Sequence, residues 1–155
     1  MTVFIADDSS EVRERIRMLL SELEKIEMIG EAENVQEAIE NIRQLGPDVV
    51  ILDIRMPGGS GIDVLREIVK EDRVPIVIML TNYPHSQYKK KCIDAGADFF
   101  FDKSREFEKV AEVLSDHMHR TDGNFQTSFD RREVRDADRN NRHCRSGEDT
   151  KRNNA

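Results

Sequence analysis

Five side chains in this 155-residue sequence have types and positions that could share one reaction centre: Asp7, Asp8, Asp53, Thr81 and Lys103. Each stands at or just beyond the end of a short apolar run. The clearest case is Val49-Val50-Ile51-Leu52, which stops abruptly at Asp53. Such a run, bounded by polar residues, reads as a strand of a parallel sheet buried on both faces. In open α/β sheets ligands bind beyond the carboxyl ends of the strands. Neighbouring parallel strands lie about 4.8 Å apart, so the five side chains can face one cleft. Three carboxylates so placed repel one another unless a cation lies among them, and an all-oxygen set with room for water suits Mg²⁺. Lys103 adds a point charge for a carboxylate or a phosphoryl oxygen, and Thr81 a hydroxyl that can donate to one. A carboxylate in that setting can attack phosphorus and become an acyl phosphate. The set contains no histidine or cysteine, which excludes a histidine-assisted hydrolase triad. Neither phosphate-binding glycine fingerprint is present, so nucleotide binding is unsupported.

The elements that must position these residues follow from periodicity. Thr2-Val3-Phe4-Ile5-Ala6 reads as the first strand, and Asp7-Asp8-Ser9-Ser10 ends it and supplies helix-capping residues. Val12, Ile16, Leu19, Leu20 and Leu23 recur at helical spacing, with Arg and Glu expected on the opposite face. Met28–Ala32 is more polar and fits an edge strand. A second helix carries Val35, Ala38, Ile39, Ile42 and Leu45 and stops at Gly46-Pro47. After Asp53, Pro57 and the glycines 58, 59 and 61 predict a tight turn and a late start for a helix with Ile62, Leu65, Ile68 and Val69. Ile76–Leu80 is another continuous apolar strand ending in Thr81. A weakly patterned helix over 85–95 ends at Gly96, and a fifth strand is expected over 97–101. The last helix is expected from about Ser104, with Phe107, Val110, Ala111, Leu114 and Met118 on one face. Strand and helix thus alternate five times with short connections. This predicts an α/β fold, a flavodoxin-like doubly wound (βα)5 with a parallel five-stranded sheet of order 2-1-3-4-5 and helices on both faces.

Composition limits the rest. Charged residues make up 35% of the chain and aromatics 6%, and no apolar run approaches the roughly 18 residues of a membrane span. No signal peptide is expected, and Cys92 and Cys144 suggest no disulfide framework, so a cytoplasmic protein without membrane insertion is expected. A formal charge of −7 argues against direct nucleic-acid binding. One domain is expected over 1–119. Residues 120–155, with nine basic and seven acidic side chains and few apolar ones, read as a polar, disordered tail that cannot build an output domain.

Over residues 2–119 the chain resembles the receiver domain of two-component response regulators. The matching features are the acidic pair Asp7-Asp8, Asp53 followed by Met56-Pro57 and Gly61, then Thr81 and Lys103, all in order on the appropriate elements. The resemblance implies that Asp53 accepts a phosphoryl group from a sensor histidine kinase or phosphotransfer protein. It implies that Asp8 and Asp53, with the Arg55 backbone carbonyl, hold Mg²⁺, and that Asp7 assists through water. It implies phosphoryl-binding and switch roles for Thr81 and Lys103, and places the switch aromatic at Phe100. Arg55 and Tyr83, two residues beyond Asp53 and Thr81, take the positions that influence phosphoryl lifetime. Phe100 lacks the hydroxyl of a tyrosine. Ser104 stands where a proline usually follows the lysine, removing the residue type that favours a cis peptide. Asn82 replaces a usually small residue next to the phosphoryl site.

The expected function is therefore a stand-alone, phosphorylation-activated signalling switch, not an enzyme, read out by an unidentified downstream protein or by a second copy of the chain. Two other readings compete. A degenerate receiver acting as a constitutive interaction module draws on Asn82 and Ser104. A Mg²⁺-dependent phosphohydrolase is opposed by Arg55, which occupies the position of that class's second acid. Taken singly, each residue has an ordinary reading: Asp7 as a helix cap, Lys103 on the surface, Thr81 at a strand end, Phe99–Phe101 in the core. Lys89-Lys90-Lys91 reads as a solvated helix face, and neither His117 with His119 nor His143-Cys144 makes a convincing metal site.

Overall fold

A computed structural model describes residues 1–121. Five strands, β1 (Thr2–Ala6), β2 (Glu27–Ala32), β3 (Val49–Leu52), β4 (Ile76–Thr81) and β5 (Phe99–Asp102), form one parallel sheet of order β2-β1-β3-β4-β5. The helices between and after them are α1 (Ser10–Ser21), α2 (Val35–Leu45), α3 (Gly61–Ile68), α4 (Ser86–Ala95) and α5 (Lys109–Thr121). This is the expected topology.

The alternation of side chains along each strand divides the interior into two cores. Phe4, Ala6, Val50, Leu52, Val77 and Met79 face one core, completed by α2, α3 and α4. Val3, Ile5, Val49, Ile51, Ile78 and Leu80 face the other, completed by Ile16 and Leu20 of α1 and by Val110 and Leu114 of α5. Strands buried on both sides have no need of polar alternation, which is why these runs are continuously apolar. The helix ends are set locally. Ser9 and Asn34 cap α1 and α2, and Ser60 with Asp63 forms a capping box on α3. Gly46 ends α2 in the left-handed conformation, φ 58°.

Several boundaries differ from expectation. Helix α5 starts at Lys109, not near Ser104, because Asp102 captures the connection: its Oδ1 accepts from Ser104 N–H at 2.8 Å and its carbonyl from Glu106 N–H at 2.8 Å. Such local side-chain bonds compete with helix formation. The helix also runs past His119, so Arg120 and Thr121 belong to it; the rest of the expected tail, including His143-Cys144, lies outside the described residues. Strand β5 is displaced to 99–102, since Asp98 turns its carboxylate to Val77 N–H at 2.9 Å. As an edge strand it leaves Phe99, Phe100 and Phe101 half-buried instead of fully in the core. Arg55–Met56 and Gly59–Ser60 form a two-residue antiparallel ribbon that no sequence pattern announced. Arg13, expected with the polar face of α1, is buried. Lys89–Lys91 are exposed, as expected. No described helix is long and apolar enough to cross a membrane.

Candidate functional site

Strand register brings the acidic residues together. Ala6 pairs with Leu52 across β1 and β3, so the next residues, Asp7 and Asp53, leave the sheet side by side. The ladder continues one step further, with Asp53 N–H donating to the Ala6 carbonyl at 2.9 Å. On the other side Thr81 pairs with Asp102, and Lys103 N–H donates to the Thr81 carbonyl at 2.9 Å. Asp7, Asp53, Thr81 and Lys103 are all buried, at 2%, 7%, 0% and 7% exposure, whereas Asp8 is open to solvent.

Lys103 ties the set together. Its Nζ donates to Asp7 Oδ2 at 2.6 Å and to Asp53 Oδ2 at 3.0 Å. The second oxygen of each acid is held by backbone: Asp53 Oδ1 accepts from Ile54 N–H at 2.7 Å, and Asp7 Oδ1 from Ser9 N–H at 2.8 Å. Burial pushes the Asp53 carboxyl up, the Lys103 charge pulls it down and the Asp7 charge pushes it up again, leaving it above the ordinary aspartate value. Burial disfavours the Lys103 charge, but the bonds and charges of Asp7 and Asp53 outweigh it and hold the ammonium above the ordinary lysine value. Two buried carboxylates thus share one cation, with a third carboxylate beside them.

One oxygen from each of Asp7, Asp8 and Asp53 lies within 4.8 Å of the others. Hard oxygen donors carrying three charges, only one of them offset by Lys103, fit Mg²⁺. The exposed Asp8 leaves that group accessible from solvent. Among the described residues no other group of three or more acids, histidines and cysteines is so placed.

The remaining expected residues fall at different distances from this centre. Thr81 Oγ1 accepts from Tyr83 N–H at 3.1 Å and makes no bond to Asp53, Asp7 or Lys103 side chains. Arg55 and Tyr83, on separate loops, are in contact: the guanidinium lies over the ring, 3.7 Å from its centroid. Phe100 packs half-buried against the α2–α3–α4 core. Asn82 and Ser104 are exposed, and the Lys103–Ser104 peptide is trans.

Two residues matter more than the sequence suggested. Arg13 donates from Nη1 to the Asp7 carbonyl at 2.7 Å, from Nε to Glu31 at 3.0 Å and from Nη2 to Glu33 at 2.8 Å, tying the acidic loop to the end of β2. Its spacing from Ile16 and Leu20 was the signal, since all three share one stripe of α1. Gly61 is required by space: a Cβ there would lie 1.8 Å from the Asp53 carbonyl oxygen.

The family model for the response regulator receiver domain matches residues 3–115. A chemotaxis protein CheY from Halobacterium salinarum is 36% identical over 114 residues, covering 74% of this chain and 93% of that protein. A protein-glutamate methylesterase/protein-glutamine glutaminase from Alkalilimnicola ehrlichii is 36% identical over 120 residues; the match covers 74% of this chain but only 31% of that relative. Among solved structures, the isolated receiver domain of RcsB from Salmonella enterica serovar Typhimurium, determined with the phosphomimetic BeF3⁻, aligns with a TM-score of 0.69 at 28% identity, over 74% of this chain and 86% of that one.

Proposed function

Because the chain belongs to the response regulator receiver domain family, we propose that it is a signalling switch thrown by phosphorylation of Asp53. The donor is a phosphohistidine on a sensor histidine kinase or phosphotransfer protein in the cytoplasm. The observation that carries this reading is the pair of buried carboxylates, Asp7 and Asp53, sharing the Lys103 ammonium at the carboxyl edge of the sheet.

An Asp53 carboxylate oxygen attacks the phosphorus, the P–O bond forms as the P–N bond breaks, and the electron pair leaves with the histidine nitrogen. Burial and the neighbouring Asp7 leave this carboxylate poorly solvated, while Lys103 holds its orientation. Asp8 and Asp53, with the Arg55 carbonyl, are the Mg²⁺ ligands in this reading, and Asp7 acts through water. Bound Mg²⁺ would offset the negative charge that gathers on the transferring oxygens. Once the acyl phosphate exists, Lys103 can follow a phosphoryl oxygen and the Thr81 hydroxyl can donate to another. Movement of Thr81 and Phe100 then biases the face made by α4, β5 and α5. The output is binding of a downstream protein or of a second copy.

Intact mass after incubation with Mg²⁺ and acetyl phosphate tests this. One added phosphoryl group is expected on the wild-type chain, and none on Asp53→Asn or without Mg²⁺. An unmodified wild type that also stays unmodified with a phosphorylated histidine kinase would favour a constitutive interaction module. Arg55 and Tyr83 set the phosphoryl lifetime in the same reading. Replacing both with small residues should change the decay rate of the isolated phosphoprotein, and an unchanged rate would remove them from that role.

A further inference from the structure

Arg55 is exposed and, among the described residues, pairs with no carboxylate, although an acidic centre lies beside it. Its guanidinium rests instead on the half-buried Tyr83 ring, 3.7 Å from the centroid. Tyr83 is held in turn by its N–H, which donates to Thr81 Oγ1 at 3.1 Å. A continuous chain of contacts, Thr81 to Tyr83 to Arg55, therefore joins the loop after β4 to the ribbon after β3, and both loops border Asp53. Thr81 has one side-chain oxygen, and at rest that oxygen sits where it accepts from Tyr83 N–H.

We propose that the Arg55–Tyr83 stack is a latch that holds the site in its resting form and opens on phosphorylation. This rests on Asp53 being the phosphoryl acceptor. When the Thr81 side chain rotates to bring its hydroxyl to a phosphoryl oxygen, Oγ1 moves away from the Tyr83 N–H. Tyr83 then loses its backbone anchor, and the ring leaves the guanidinium, which turns to solvent. The latch opposes phosphorylation at rest and couples the two loops, so that neither changes conformation alone.

The stack makes a definite prediction for a phosphoryl stand-in. Cation–π contacts at exposed sites are worth enough to shift an equilibrium about two- to fivefold. In the full chain, Arg55→Met or Tyr83→Leu should each tighten the apparent affinity for BeF3⁻ with Mg²⁺ by about that factor. The double variant should gain no more than either single one, because both remove the same contact. Unchanged or weaker binding in Arg55→Met, or gains that multiply in the double variant, would overturn the latch; weaker binding would make Arg55 a phosphoryl ligand instead. Proton NMR gives a readout that general destabilisation does not move. The Arg55 side-chain protons should carry a ring-current shift in the resting wild type, absent in Tyr83→Leu and lost on adding BeF3⁻ and Mg²⁺. A shift that persists in the BeF3⁻ complex overturns the proposal. If acetyl phosphate leaves Asp53 unmodified and BeF3⁻ does not bind, it is the phosphoacceptor reading that fails, and the resting ring-current shift alone still reports the stack.

Discussion

At the scale of single residues, the site is built against its own stability. Asp53 is buried next to another carboxylate, and one ammonium serves both. Its carboxyl is held above the ordinary value, which means the folded state disfavours its charge. The sign follows from linkage. A group whose folded pKa is raised gives stability that is present at low pH and lost as pH rises through the folded value. At pH 7 without Mg²⁺ the Asp53 charge therefore costs stability, and Asp53→Asn should melt above wild type. The gap should narrow as pH falls through the raised pKa. Adding Mg²⁺ should raise the wild-type melting temperature more than that of the variant, because only wild type keeps the full acidic set. Thermal melts in EDTA and in Mg²⁺, at several pH values, check both parts. A variant that melts below wild type in EDTA would mean that the Lys103 bond outweighs burial.

At the scale of elements, what positions Asp53 is how closely the turn after β3 folds back. Gly61 opens α3 with its N–H donating to the Ile54 carbonyl at 2.7 Å, and its α-carbon faces the Asp53 carbonyl. A methyl group there would sit 1.8 Å from that oxygen, which is backbone and cannot rotate away. Gly61→Ala should cost about 3 kcal/mol or more in urea unfolding and slow phosphorylation by acetyl phosphate, because the adjustment falls on Asp53 itself. A loss under about 1 kcal/mol would mean the loop relaxes freely. The sequence revealed those elements whose pattern comes from burial on both faces of a sheet. β1, β3 and β4 were legible as unbroken apolar runs, and the site residues because each run ends in a change of chemistry. The start of α5 was not legible, since Asp102 and Ser104 hydrogen-bond locally and delay the helix. The ribbon is too short to have a period. Arg13 was misread because its type suggested solvent, though its spacing on α1 matched Ile16 and Leu20. The Arg55–Tyr83 contact joins two loops distant in sequence, and no periodicity encodes such a meeting.

At the scale of the whole molecule, both cores draw on the same strands. β1, β3 and β4 send alternate side chains to each, so unfolding of the sheet exposes both cores at once. Cys92 offers a direct test of this. It is buried in the core under α4, and burial pushes its thiol up to about 11. At pH 8 about one molecule in a thousand would carry the thiolate that alkylating reagents require, against roughly a quarter for an exposed thiol of ordinary pKa. Reaction in the folded state must therefore pass through an opening that removes both the burial and the raised pKa. In a Cys144→Ser chain, which leaves Cys92 as the single thiol, iodoacetamide labelling at pH 8 should be at least about two hundredfold slower than in urea-unfolded protein. If that opening is unfolding of the sheet, the rate should follow global stability. A Gly61→Ala change that costs about 3 kcal/mol should then speed labelling about a hundredfold, although Gly61 lies at the edge of Asp53 and not against Cys92. Asp53→Asn in EDTA should slow it. Labelling that ignores both substitutions would mean α4 lifts off by itself. The face that carries the proposed output would then open independently of the sheet that holds the phosphorylation site.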